Sequence, residues 1–256
     1  MIQEVPKLRV AHQKCSECPI RHRAVCSYCD NVSLDALDSI KFYRDFDAGQ
    51  EIVGEGEQTE FLGSIVTGVV ALDKTLEDGR RQIVGLLFAS DFIGRPLRHV
   101  APYNSVAVTP VRMCLFHRPQ FETVLKTTPE LERRLLEMTL DELDAARNWM
   151  LLLGRKSALE KVASFLMILA RRSAGLEKLS IVNGSSFTIP MTRETMAEYL
   201  GLTIETVSRQ MTALRKQGIL ELRDSRIVII LDVASLITAS GESPDPSGWP
   251  QHAKSA

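Results

Sequence analysis

The spacing of apolar positions shifts along the chain, and each shift predicts a different kind of element. Residues 34–44 carry the pattern of a short helix. From Asp45 to Phe116 short apolar stretches, such as Ser64 to Val66 and Gln82 to Leu87, are broken by Gly49, Gly54, Gly56, Gly63, Gly68, Gly79, Gly85 and Gly94. Many short strands at close turn spacing predict an antiparallel β-barrel or jelly roll. Within it Asp78 and Gly79, set between Thr75–Glu77 and Arg80–Val84, mark the clearest hairpin.

A long helical pattern follows over 129–153, with Pro129 suited to the first turn and Gly154 to the end. It carries two apolar stripes. Leu131, Leu135, Met138, Ala145, Trp149 and Leu152 form one; Leu136, Leu140, Leu143, Ala146 and Met150 form the other. A helix with two apolar faces has two partners. The first stripe is expected to pack on its own barrel, and the second has coiled-coil spacing for a second subunit. A helix buried wholly within one domain is the alternative.

Residues 156–173 form a basic amphipathic pattern, and 193–200 and 204–217 form two more helices separated by Gly201, Leu202 and Thr203. Gly218 closes the last one. Strand-like stretches at 219–222 and 227–231 flank a polar turn, and this order predicts a winged helix-turn-helix. In helix 204–217 the residues Ile204, Val207, Met211 and Leu214 make one buried face, while Glu205, Ser208, Arg209 and Thr212 lie opposite. Arginine can donate twice to a guanine, a glutamate accepts from a cytosine or adenine amino group, and serine serves either role. Thr203 fits an N-cap and could also touch a phosphate. An ordinary surface ion pair between Glu205 and Arg209 is the competing explanation of that face.

The expected organisation is therefore an α+β chain: a cysteine-rich segment over 1–33, a β-barrel over 34–126, a dimerisation helix over 127–154, a winged helix-turn-helix over 155–235, and a tail over 236–256. The tail is rich in Ser, Pro and Gly and is expected to be disordered.

Charge sharpens this division. Residues 1–153 hold 18 Lys+Arg against 22 Asp+Glu, whereas residues 154–230 hold 12 against 7, so the positive excess sits on the predicted DNA reader. No apolar run reaches the roughly 18 residues of a membrane span, and the N-terminus lacks the apolar core of a signal peptide. A cytoplasmic protein is expected. Neither a phosphate-binding glycine loop, a zinc-protease motif nor a nucleophile elbow is present, which argues against an enzyme.

Four of the five cysteines crowd into one short stretch, Cys15, Cys18, Cys26 and Cys29, and Cys114 stands alone. In a reducing compartment such a cluster points to bound zinc or iron–sulfur rather than to disulfides. Cys15, Cys18, Cys26 and Cys29 alone could complete a tetrahedral zinc site, leaving Cys114 as a core residue.

The stretch Tyr199–Arg209, the Cys15, Cys18, Pro19 and Cys26 pattern, and Cys114 together resemble the CRP/FNR family of bacterial transcription regulators, in its FNR-like (FnrL-type) branch of oxygen sensors. The resemblance spans roughly residues 10–235. It implies a cyclic-nucleotide-binding-like jelly-roll sensory domain. It also implies a 4Fe-4S cluster held by Cys15, Cys18, Cys26 and Cys114, with Cys29 as the alternative ligand. A homodimer on palindromic double-stranded DNA of the TTGAT type is implied too, read by Glu205, Ser208 and Arg209, and an RNA polymerase contact at the hairpin around Asp78 and Gly79. Cyclic-nucleotide-binding relatives place a Gly-Glu pair and an Arg-Ser/Thr step in the barrel. Here Arg95 follows Gly94 and Asn104 precedes Ser105, so no cyclic nucleotide is expected. The five histidines are scattered, which argues against haem. Asp141, Glu142 and Asp144 beside the seam would repel across a dimer axis when the cluster is lost, but relatives carry an Asp where this chain has Ala146, which weakens that repulsion.

Overall fold

The computed structural model describes residues 14–177, 179–224 and 226–242. After a 3-10 turn at Cys15–Glu17, helix α1 spans Asn31–Ile40, started by Asp30, whose carboxylate accepts from the Ser33 amide. The helix expected at 34–44 is thus displaced. Its second half is strand β1 (Lys41–Phe46), because these residues pair with β8 (Val111–His117) along their whole length.

The barrel has two four-stranded antiparallel sheets. One is ordered β1-β8-β3-β6, with β3 at Phe61–Thr67 and β6 at Phe92–Ile93. The other is β2-β7-β4-β5, with β2 at Glu51–Val53, β7 at Asn104–Ala107, β4 at Val70–Thr75 and β5 at Arg81–Leu87. Phe46, Ile52, Ile65, Val70, Met113 and Leu115 are among the side chains that fill the space between them. Helix α2 (Arg118–Thr127), which the apolar pattern did not announce, closes the barrel with Phe121 fully buried.

Helix α3 runs Pro129–Arg155, past Gly154. Its first stripe packs on the N-terminal domain as expected at Leu131, which is buried, and at Leu135 and Met138, which are partly buried; buried Leu152 and partly buried Trp149 instead join the core that the C-terminal helices share with one barrel face, and Ala145 is exposed. The second stripe is bare: Leu136, Leu140, Leu143, Ala146 and Met150 are all exposed, Met150 by 72%. Helix α4 (Ala158–Glu177), α5 (Arg193–Leu200) and α6 (Ile204–Lys216) build the reader. The wing has a third strand beyond the two expected, β9 (Ser186–Thr188), so its sheet is ordered β10-β11-β9, with β10 at Leu220–Arg223 and β11 at Ile227–Ile230. Three residues are too short a run to declare themselves by alternation.

The expectation of disorder from residue 236 is corrected for its first part. Helix α7 spans Val233–Ala239, because the Asp232 carboxylate caps it through the Ser235 amide and Leu236 and Ile237 are buried in the core it shares with α4. Residues 243–256 lie outside the described residues. That core is continuous with the barrel, joining Ile83, Leu86 and Phe88 to α4, α5 and α6. Polar contacts reinforce the join: the Gln82 Nε2 donates to the Glu198 carbonyl at 2.8 Å, Arg172 Nη1 to Asp91 Oδ1 at 2.7 Å, and the Trp149 ring of α3 stacks on Tyr199 of α5 at 3.8 Å.

Candidate functional site

The cysteine segment is a compact set of turns. Cys18 N–H reaches the Cys15 carbonyl, Ala24 N–H the Ile20 carbonyl and Cys29 N–H the Cys26 carbonyl. Ile20, Ala24 and Val25 are buried beneath it and act as its anchor. All five cysteines belong to one apolar cluster with α1, α2 and the start of α3. Cys114 arrives from the barrel: on β8 it stands between Tyr43 of β1 and Ser64 of β3. A Cβ on the neighbouring Gly63 would collide with the Cys114 carbonyl, so the strands can close beneath that thiol only with glycine there.

The thiols sense one another. Burial, followed by the charges of Cys15, Cys18 and Cys26, drives Cys114 upward, with Lys41 opposing. Cys26 is pushed up to about 12 by burial and then by Cys15, Cys18 and Cys29. Cys15 is raised to about 11, chiefly by burial. Cys29 is also raised to about 11, by burial and then by Asp30 and Glu130, with Arg21 opposing. Cys114 thus stands in the field of Cys15, Cys18 and Cys26, Cys26 in that of Cys15, Cys18 and Cys29, and Cys29 beside Asp30 and Glu130. A cation bound here would have to displace the thiol protons. Among the described residues no three His, Cys, Asp or Glu side chains form a group that could hold a metal ion as they stand.

The segment is clasped to α3. Arg134 donates to the Arg23 carbonyl at 2.9 Å, and the guanidinium groups of Arg133 and Arg134 lie 5.8 and 5.5 Å from the centre of the Tyr28 ring. A hydrogen bond from Tyr28 holds the Glu137 carboxyl below its ordinary range, with help from Arg133 and Arg134. None of these clasping residues was singled out from sequence, where nothing separates them from a solvated helix face. The acidic trio is not a bare patch either: Asp144 pairs with Arg147 at 3.6 Å and Glu142 lines the barrel cavity.

In the reader, α5 ends at Gly201 in the left-handed conformation, φ +60°, which a glycine adopts without strain. Thr203 caps α6, accepting from the Thr206 amide at 3.2 Å. Val207, Met211 and Leu214 are buried, but Ile204, expected on the same face, is 42% exposed because it sits in the first turn beyond the reach of that core. Glu205, Ser208 and Arg209 are exposed, and Thr212 is half-buried with its hydroxyl donating to the Ser208 carbonyl at 3.0 Å. Among the described residues Glu205 and Arg209 are not joined as an ion pair. Backbone and Thr203 hydrogen bonds hold Glu205 below the usual carboxylate range, so it is an ionised acceptor.

Two family models match the chain: a cyclic nucleotide-binding domain over residues 43–128 and a Crp-like helix-turn-helix domain over residues 160–239. The chain is 52% identical to the transcriptional activator protein FnrL of Cereibacter sphaeroides over 95% of this chain and 97% of that one. It is 40% identical to the nitrogen fixation regulation protein FixK of Bradyrhizobium diazoefficiens over 80% of this chain and 84% of that one. The solved structure of FixK2 from Bradyrhizobium japonicum superposes with a TM-score of 0.71 at 32% identity, covering 80% of this chain and 99% of that one. Among the described residues no helix is long and apolar enough to cross a membrane.

Proposed function

Since this chain belongs to the CRP/FNR family of transcription regulators, whose members are not enzymes, we propose that it is an oxygen-responsive regulator that binds a TTGAT-type palindrome as a homodimer while a 4Fe-4S cluster is intact. Its likeness to proteins named as transcriptional activators favours activation. The carrying observation is that Cys114, from the barrel, packs in one apolar cluster with the cysteines of the N-terminal segment. Cys15, Cys18, Cys26 and Cys114 would hold the 4Fe-4S cluster, with Cys29 outside the set. When bound, the cluster supplies an oxygen-sensitive tether between segment and barrel.

The chain's own residues carry the rest. A fixed segment presents Tyr28 and the Arg23 carbonyl to Arg133, Arg134 and Glu137, which orients the first half of α3. The exposed stripe from Leu136 to Met150 then packs against the same stripe of a second copy. Two α6 helices about 34 Å apart would enter successive major grooves. There Arg209 donates to a guanine, Glu205 accepts from a base amino group, Ser208 contacts an adjacent edge, and Thr203 with the amides of the first turn approaches a phosphate. The hairpin tip with exposed Leu76 and the Asp78–Arg80 ion pair is available to RNA polymerase. The barrel cavity, about 130 Å³, has no glutamate after Gly94, and cyclic nucleotide plays no part in this reading.

Iron, sulfide and zinc analysis of protein purified without oxygen tests it. Equal iron and sulfide, lost in Cys114→Ala, supports the reading. A single zinc held equally by that variant replaces it with a structural zinc in the segment and no oxygen sensing.

A further inference from the structure

The ammonium of Lys41 is deeply buried in an ion pair, its side chain 3% exposed. Lysine is almost never buried to this degree unless paired, and desolvation alone would drive its charge away. It is paired here with the Asp38 carboxylate. Its partner Asp38 is 38% exposed. An ion pair wanted only for its own attraction could form around that carboxylate at the surface, without burying the cation.

The direction of the side chain follows from strand geometry. Alternation on β1 sends Phe42 into the barrel interior and puts Lys41 and Tyr43 on the opposite face, beneath the cysteine segment. Tyr43 is the strand partner of Cys114. Lys41 Nζ lies 3.6 Å from Cys15 Sγ, within N–H···S reach, and also bonds the Asp38 carboxylate. Asp38 in turn accepts from the Cys15 amide at 2.8 Å. Both members of the pair therefore meet Cys15: the ammonium at its sulfur, and the carboxylate, partly open to solvent, at its amide and its thiol.

We infer that Lys41 is a charge-setting residue of the cluster site, donating to Cys15 Sγ and fixing the reduction potential and retention of the inorganic group, with Asp38 as its opposing trim. This rests on the cluster reading above. Four thiolates would carry more negative charge than an iron–sulfide core neutralises, and in an apolar cradle an adjacent ammonium favours whichever state is more negative.

The test is anaerobic assembly of wild type, Lys41→Met and Asp38→Asn, with iron and sulfide per chain, the reduction potential, and the decay of the visible band in air. Asparagine keeps an acceptor for the Cys15 amide while removing the carboxylate charge. Lys41→Met should shift the potential negative and shorten the lifetime of the bound cluster by roughly tenfold, the scale of a lost charged hydrogen bond. Asp38→Asn should shift the potential positive with retention equal to or above wild type. Should Lys41→Met hold too little cluster for a potential, the opposite-signed shift in Asp38→Asn still decides. A potential unmoved in Asp38→Asn, or shifts of the same sign in both variants, would reduce Lys41 and Asp38 to an ordinary structural pair. A wild type that takes up no iron and sulfide would overturn the cluster reading and this inference with it.

Discussion

The reader and the sensor of this chain are built on opposite plans. In the reader the contact residues lie within one helix, capped by Thr203 and backed by Val207, Met211 and Leu214. Their geometry is complete before any ligand arrives, and every contributor is local in sequence. In the sensor the four candidate ligands come from two separate places, Cys15, Cys18 and Cys26 from the N-terminal segment and Cys114 from β8 of the barrel. In the reading proposed above, an inorganic group draws them together. On that reading a locally built reader is governed by a sensor assembled from distant parts, the form a ligand-dependent switch requires, because a ligand can bias only the part it helps to build.

The largest expected effect would break the contrast at the sensor. Cys114→Ala should abolish iron and sulfide retention and lower anaerobic affinity for the palindrome toward the nonspecific level, on the order of 10³-fold, as titrated by gel shift. Cys29→Ala should change neither by more than a small factor; equal losses would place Cys29 among the ligands. The next effect lies between the two regions. Leu140→Asp puts charges into the seam twice, once per subunit, and should weaken dimerisation by about 3 kcal/mol or more, measured by sedimentation of the anaerobic protein, while cluster content stays at the wild-type level. A dimer undiminished in this variant would place the interface elsewhere.

Smaller effects sharpen the reader. Arg209→Ala should cost about 1–3 kcal/mol against the consensus half-site and relax the preference at one guanine. A loss spread evenly over all sequences would make Arg209 a phosphate contact. Thr203→Ala should lower unfolding stability by about 1 kcal/mol through loss of the cap, seen in denaturant melts of apo-protein with cluster uptake unchanged.

The same contrast explains what could be seen in the residues alone. The helix-turn-helix was legible because its signals are local: a left-handed glycine at 201, a threonine cap at 203 and a buried stripe at helical spacing. The bare stripe of α3 was legible for the same reason. The start of the barrel was misplaced by a few residues because Lys41–Phe46 alternates too weakly to outweigh the helical texture before it, and only pairing with β8 decides it as a strand. Periodicity places Ile204 in the core because it does not register that a first turn can project beyond its neighbours. Lys41, Tyr43 and the Tyr28 clasp were invisible because their significance lies in register and packing: which residue faces Cys114, and which helix covers the segment, is fixed by contacts between parts of the chain far apart in sequence.

The central claim is that an intact cluster in this cysteine set governs pairing on DNA. It is tested most directly by one anaerobic sample divided in two, assayed for iron, sulfide, sedimentation and gel shift before and after air. The account predicts that cluster content, dimer fraction and operator binding fall together, and that Cys114→Ala begins where aerated wild type ends. Undiminished dimer and operator binding in the aerated half, after its iron and sulfide are gone, would contradict it.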